Sequence, residues 1–296
     1  MTSSDDAFHA SATPYRAAGS LQGRTILMSG GSRGIGLAIA LRAARDGANV
    51  VLLAKTGQPH AKLQGTVFSA AEALEAAGGR ALPLVGDVRN DEDVAHAVAA
   101  AVEHFGGIDI VINNASAIDL STTDAVDMKR YDLMQDINVR GTFLLSKLAL
   151  PALRKSDGGH ILTLSPPLNL DPKWAGKHLA YTMAKYGMSL TTLGLAEELR
   201  ADGIRVNSLW PCTLIDTAAI RNMPGGDAIV RAARGPEIMA DAAHAVLTGS
   251  NLAEGAGSPT GNFYTDEQVL SAAGVADFRP YSLGADEDRL VPDIFL

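Results

Sequence analysis

Cysteine is almost missing from this chain of 296 residues: Cys212 stands alone. A lone thiol can build neither an internal disulfide nor a multi-cysteine zinc site. The seven histidines are scattered without ligand spacing, so no metal is expected. Aromatic residues are few, at 5%, and 25 basic residues face 33 acidic ones, for a net charge of −8. Lacking spare positive charge and stacking rings, the chain is poorly suited to nucleic acid. No apolar run reaches the ~18 residues of a membrane span, so no membrane partner is expected. Met1 to Ser20 carry Asp5 and Asp6 and no apolar signal core. A cytoplasmic location is the expectation.

Glycine, by contrast, is plentiful, with 30 residues where the usual share is ~7%. It marks places where backbone turns tightly or approaches something closely. Around it runs a rhythm of short apolar strands and amphipathic helices. Stretches such as Thr25–Ser29, Asn49–Ala54, His160–Leu164 and Ile204–Trp210 read as strands. Stretches such as Asp91–Phe105, Lys129–Lys155 and Ala180–Ala201 read as helices. Apolar strands separated by helices mean a parallel sheet covered on both faces. The expectation is one α/β domain over residues 23–283 with a Rossmann fold. Its doubly wound parallel sheet has about seven strands. Residues 1–22 are expected as a disordered leader. Residues 284–296 form an acidic tail that either frays or docks its apolar end, Ile294-Phe295-Leu296.

The first strand runs into Ser29-Gly30-Gly31-Ser32-Arg33-Gly34-Ile35-Gly36. Glycines here let a pyrophosphate lie against bare N–H groups at the positive end of the next helix. A site for NAD usually places an acid near the end of the second strand. Here the sequence is Leu53-Ala54-Lys55-Thr56, with no acid. Arg33 and Lys55 together can neutralise a 2′-phosphate, so NADP(H) is favoured over NAD(H).

Tyr181 and Lys185 lie four apart at the start of a helix, on one face. A nearby ammonium and an oxidised nicotinamide would lower the phenol's pKa from its usual ~10. That would suit proton exchange with a substrate oxygen. Ser165 follows the fifth strand, at the sheet edge where α/β proteins place ligands. Its hydroxyl can hold the substrate oxygen beside Tyr181. Trp174 lies in the intervening loop, either stacking on an apolar substrate or anchoring that loop. His178 is expected as a partly exposed helix-cap residue, and Cys212 as a small packing residue.

Taken together, these motifs resemble the short-chain dehydrogenase/reductase family. The matching residues are Gly30-x3-Gly34-x-Gly36, Asp87-Val88, Asn113-Asn114-Ala115-Ser116, Asn138, Ser165, Tyr181-x3-Lys185 and Pro211. Ser116 stands where the family pattern has Gly. The resemblance implies a catalytic set of Asn138, Ser165, Tyr181 and Lys185, with Asn138 holding a relay water through its backbone. It implies adenine contacts from Asp87 and Val88, and cofactor contacts from Asn114 and Ala115. Ser32 and Ile35 complete the glycine turn. Lys185 and Tyr181 would reach the nicotinamide ribose, while Pro211 and Thr213 close on the carboxamide. The helices over Lys129–Lys155 and Ala180–Ala201 would build a homodimer or homotetramer.

The expected activity is NADP(H)-dependent interconversion of a hydrophobic alcohol and its aldehyde or ketone. The rival is an NADP(H)-binding sensor or scaffold without turnover. An epimerase or dehydratase can reuse the same Tyr and Lys, but such relatives carry a different glycine spacing.

Overall fold

The structure, a computed structural model, describes residues 13–59, 65–222, 225–249 and 260–296. Seven strands alternate with helices: β1 (Thr25–Ser29), β2 (Asn49–Ala54), β3 (Arg80–Val85), β4 (Ile110–Asn113), β5 (His160–Thr163), β6 (Arg205–Trp210) and β7 (Phe263–Thr265). Every neighbouring pair is parallel, in the order β3-β2-β1-β4-β5-β6-β7. This is the doubly wound, seven-stranded sheet read from the sequence. Winding reverses between β1 and β4, which opens a crevice at the carboxyl ends of the strands.

Alternation along a strand decides which helices it meets. Ile26 and Met28 of β1 face one core, and Leu27 faces the other. The first core is closed by α1 (Gly34–Arg45) and α2 (Val67–Ala76), together with two later helices, Glu237–Thr248 and Asp266–Ala272. The second is closed by α3 (Asp91–Phe105), with Leu144, Leu145 and Leu153 of Gly141–Leu153 and Leu195 of Leu179–Glu198. Each such buried aliphatic side chain contributes about 1.5–3 kcal/mol. Both faces are covered, which is why the strands read as unbroken apolar runs. Pro83 is tolerated because β3 is an edge strand.

Residues 13–22 depart from the expected leader. Tyr15 and Leu21 are buried. The Tyr15 hydroxyl meets His244 Nδ1 at 2.9 Å, and Leu21 N donates to Asp46 Oδ2 at 2.7 Å. Two apolar side chains with core sites, plus these polar anchors, hold this part on the domain. Residues 1–12 of the expected leader lie outside the described residues. No helix among the described residues is long and apolar enough to cross a membrane.

His160 heads β5 and is fully buried. Its Nε2 accepts from Asn207 Nδ2 at 3.0 Å, which leaves the proton on Nδ1. Burial, with Arg205 and Arg24 nearby, pushes its pKa down to about 3. The native state therefore binds fewer protons than the unfolded chain below the ordinary histidine pKa of ~6.5. Stability is expected to be full above that value and to fall as pH drops toward about 3. Urea unfolding of wild type should lose up to about 1.4 kcal/mol per pH unit more than His160→Gln across this range. Parallel pH slopes for the two proteins would contradict the assignment.

Candidate active site

The turn between β1 and α1 is held from behind by Asn114, just past the end of β4. Asn114 Nδ2 donates to Ser29 O at 3.1 Å and to Gly30 O at 2.9 Å. A Cβ at Gly36 would sit 2.4 Å from that same amide nitrogen, so only glycine fits there. Gly30 has φ +74°, the left-handed region open to glycine. No side chain caps the N-terminus of α1. Its first N–H groups are therefore donors for an anion. Ile35 is partly buried and packs against the first core.

A cleft of about 290 Å³ opens over this turn, lined among others by Gly30, Ser32, Arg33, Lys55, Asp87, Val88, Asn114 and Ala115. Sequence-distant candidates thus share one wall. Arg33 Nη2 donates to Gly65 O at 2.8 Å, and its buried Nε has no partner. Lys55 Nζ lies 3.0 Å from Asp87 Oδ2, and Arg89 holds the same carboxylate at 2.6 Å. A larger cleft, about 610 Å³, adjoins at Lys55 and Thr56 and is walled by Phe68 and Val85. An uncapped helix start, a free guanidinium nitrogen and an apolar annex suit a phosphate beside a flat base. On the segment after β6, Thr213 Oγ1 is buried without a partner, where protein interiors satisfy almost all such groups.

The long helix expected over Lys129–Lys155 is interrupted. It comprises α4 (Met128–Met134), a π turn (Gln135–Arg140) and α5 (Gly141–Leu153). π turns recur at functional sites. This one places Asn138, fully buried, against the loop after β4. Asn138 Oδ1 accepts from Ala117 N at 2.8 Å, and its Nδ2 donates to Ala117 O at 3.0 Å. The side chain is therefore used up in fixing that loop. Helical periodicity alone carries no signal for the extra residue in the turn.

Two helices bring the remaining candidates in: α6 (Pro172–Lys177) and α7 (Leu179–Glu198). Asp171 caps α6 and Pro172 follows at its first position. Tyr181 and Lys185 occupy the first turns of α7 and are both buried. Lys185 Nζ donates to Leu164 O at 2.7 Å and lies 4.9 Å from the Trp210 ring centroid. Ser165 Oγ is 2.8 Å from Ser208 Oγ, which donates to Thr192 Oγ1 at 2.8 Å. The Ser116 side chain lies near Tyr181 and acts to lower the phenol's pKa, against the effect of burial. Sequence reasoning noted Ser116 only as a departure from a glycine pattern.

Within the chain itself, the protein groups around the phenol act, on balance, in the upward direction. Burial, reinforced by the Asp293 carboxylate, pushes Tyr181 well above its ordinary value. Burial pushes Lys185 down to about 7, partly countered by Asp293. Asp293 is itself pushed up to about 7 by burial. The Lys185 ammonium is engaged by Leu164 O and by the Trp210 face.

His178 corrects another expectation. It is buried, not a partly exposed cap, and its ring centroid lies 6.3 Å from that of Tyr181. Trp174 is buried too, with Lys173 and Lys177 over its ring. Burial and Asp266 push the Cys212 thiol up to about 12, consistent with packing rather than reactivity. The tail docks its apolar end: Phe295 is fully buried against these aromatic rings.

Comparison with known proteins gives the family. Residues 24–224 match the family model for short chain dehydrogenases. The chain is 52% identical over 278 residues to hydroxysteroid dehydrogenase-like protein 2 of Xenopus laevis, covering 94% of this chain and 64% of that protein. It is 50% identical to the Homo sapiens protein of that name over the same share of this chain, again spanning 64% of its relative. The chain thus spans less than two thirds of the length of these relatives. A solved Xanthomonas campestris structure is 53% identical, with a TM-score of 0.86 over 94% of this chain and 99% of that one. A short chain dehydrogenase from Mycobacterium thermoresistibile is 51% identical, with a TM-score of 0.86 over 94% and 96%. The chain belongs to the short-chain dehydrogenase family, whose members are oxidoreductases that bind a nicotinamide nucleotide.

Proposed function

We propose that this protein is an NADP(H)-dependent oxidoreductase interconverting a hydrophobic alcohol and its aldehyde or ketone. One observation carries the reading. Tyr181 and Lys185 are buried together at the sheet edge where the uncapped start of α1 and the basic cleft also open. The bound nicotinamide would supply or accept the hydride. Tyr181, protonated at neutral pH, gives its proton to the carbonyl oxygen in reduction and takes it back in oxidation. Ser165 orients that oxygen, turning from Ser208. Lys185 holds positive charge near the phenol and the ribose. Asn138 fixes the loop after β4, and its backbone anchors the relay water. The apolar rings near Tyr181, Trp174 among them, suit a hydrophobic substrate body. Turnover of NADPH with aliphatic, terpenoid and steroid carbonyls tests the reading.

A homo-oligomer built on α5 and α7 belongs to the same proposal. Phe143 on α5 and Met183, Leu190 and Leu193 on α7 are large apolar residues left exposed. Positions 183, 190 and 193 fall on one helical face, an apolar stripe that suits a second copy. Light scattering should find a dimer or tetramer for wild type and a monomer for Leu190→Asp. A monomeric wild type would contradict the interface.

A further inference from the structure

Asp293 aside, the tail makes contacts that the redox chemistry does not use. Residues 291–293 run against the segment after β6. Leu214 N donates to Val291 O at 2.9 Å, and Asp293 N donates to Cys212 O at 3.0 Å. Trp210 Nε1 then donates to Ile294 O at 2.9 Å, and Asn169 Nδ2 to Phe295 O at 3.3 Å. These bonds set Phe295 in a box of five rings. Its ring centroid is 5.9 Å from Trp174, 6.0 Å from His178, 6.2 Å from Tyr181, 5.2 Å from Tyr186 and 6.0 Å from Trp210. Phe295 is fully buried, yet its φ is +78°, the only positive φ of a non-glycine among the described residues. For a bulky side chain that backbone is unfavourable and persists only where surroundings enforce it.

Two features distinguish this box from ordinary core. It is built on the ring of Tyr181, whose hydroxyl carries the proton in the reading above. Its walls also hold two buried polar atoms without partners, Trp174 Nε1 and His178 Nε2. Protein cores satisfy such atoms almost always.

We infer that the box is the subsite for the substrate's apolar body, and that Phe295 is its displaceable occupant from within the chain. The identity of the ligand rests on the oxidoreductase reading. A ring of phenyl or cyclohexyl size replaces the Phe295 side chain on Tyr181, and the strained backbone relaxes as the tail lifts. Trp174 Nε1 and His178 Nε2 give a polar group on that ring a donor and a second partner. Phe295 is then a specificity-determining residue. Its occupancy lowers the apparent affinity for every ring-bearing substrate by the fraction of time the box is filled.

Both tryptophans of the chain are walls of the box, so tryptophan emission reads it alone. Benzylacetone titrated into the full-length protein should give a saturable emission change. Its Kd should be about tenfold or more lower in Phe295→Ala than in wild type, as expected when a competing occupant is removed. Phe295→Leu should fall between them, and decides the matter if the alanine variant does not fold. Acetone, which lacks the ring, should give no saturable change. Equal or weaker benzylacetone binding in the variants, or no saturable change in any of them, overturns the assignment. Tyr181→Phe separates the two readings, because it should keep benzylacetone binding while losing turnover. Binding without turnover in wild type counts against the oxidoreductase reading alone. Turnover with equal binding in all variants counts against the box alone.

Discussion

Tyr181→Phe is expected to lower kcat/KM for carbonyl reduction by about 10²–10⁴-fold, the range for a lost general acid. The substitution keeps the ring, its stacking on Phe295 and its place on α7, and removes only the O–H. Burial and Asp293 hold the phenol well above its ordinary pKa, so it is protonated across neutral pH and able to donate. The loss should fall on kcat, because the proton moves only as the bond to hydrogen forms at carbon. Lys185 and Asp293, both near about 7, titrate as one pair and shape the pH profile. Burial keeps the Asp293 carboxyl high, and the nearby Asp266 adds to it. Asp293→Asn removes the carboxylate that supports the Lys185 ammonium, so the profile's bend should move to lower pH. Activity in Tyr181→Phe equal to wild type would remove the phenol from the mechanism.

Replacing Arg33 and Lys55 carries the other large effect. Each charge-assisted hydrogen bond to a 2′-phosphate is worth about 1.5–3 kcal/mol, or roughly 10–150-fold in affinity. Arg33→Ala should weaken NADPH binding toward the upper end of that range. Its guanidinium is already partly desolvated, is held to Gly65 O, and has Nε to spare. Lys55→Ala should fall at the lower end, because Lys55 is more than half exposed and already shared with Asp87. NADH has no 2′-phosphate, so its affinity should change little in either variant. Isothermal titration with both nucleotides checks the contrast. Equal losses for NADPH and NADH would mean that the two cations do not read the phosphate.

Much of this arrangement was legible in the sequence, for identifiable reasons. The sheet was readable because both faces are covered, which leaves strands such as Val50–Leu53 wholly apolar. Gly30 and Gly36 could be placed because close backbone approach leaves a compositional mark, and Asn114 through the family resemblance. Other features leave none. The π turn around Asn138 adds one residue per turn without changing which residues are apolar. Residues 13–22 read as a leader because Tyr15 and Leu21 stand among Pro, Ala, Gly and Ser. The direction of the Tyr181 shift depends on burial, and Asp293 reaches the site from more than a hundred positions away. The docking of Phe295 was open for the same reason: its five partner rings are scattered between Trp174 and Trp210. His178 was misplaced because its burial is completed by that same distant ring.

Nicotinamide absorbance, followed for wild type with NADPH and with NADH across aliphatic, terpenoid and steroid carbonyls, tests the central claim most directly. The expected result is consumption of NADPH, faster than of NADH, with at least one hydrophobic carbonyl. Tight NADPH binding with no consumption on any member of the panel would contradict it, and would make the protein a nucleotide-binding sensor or scaffold.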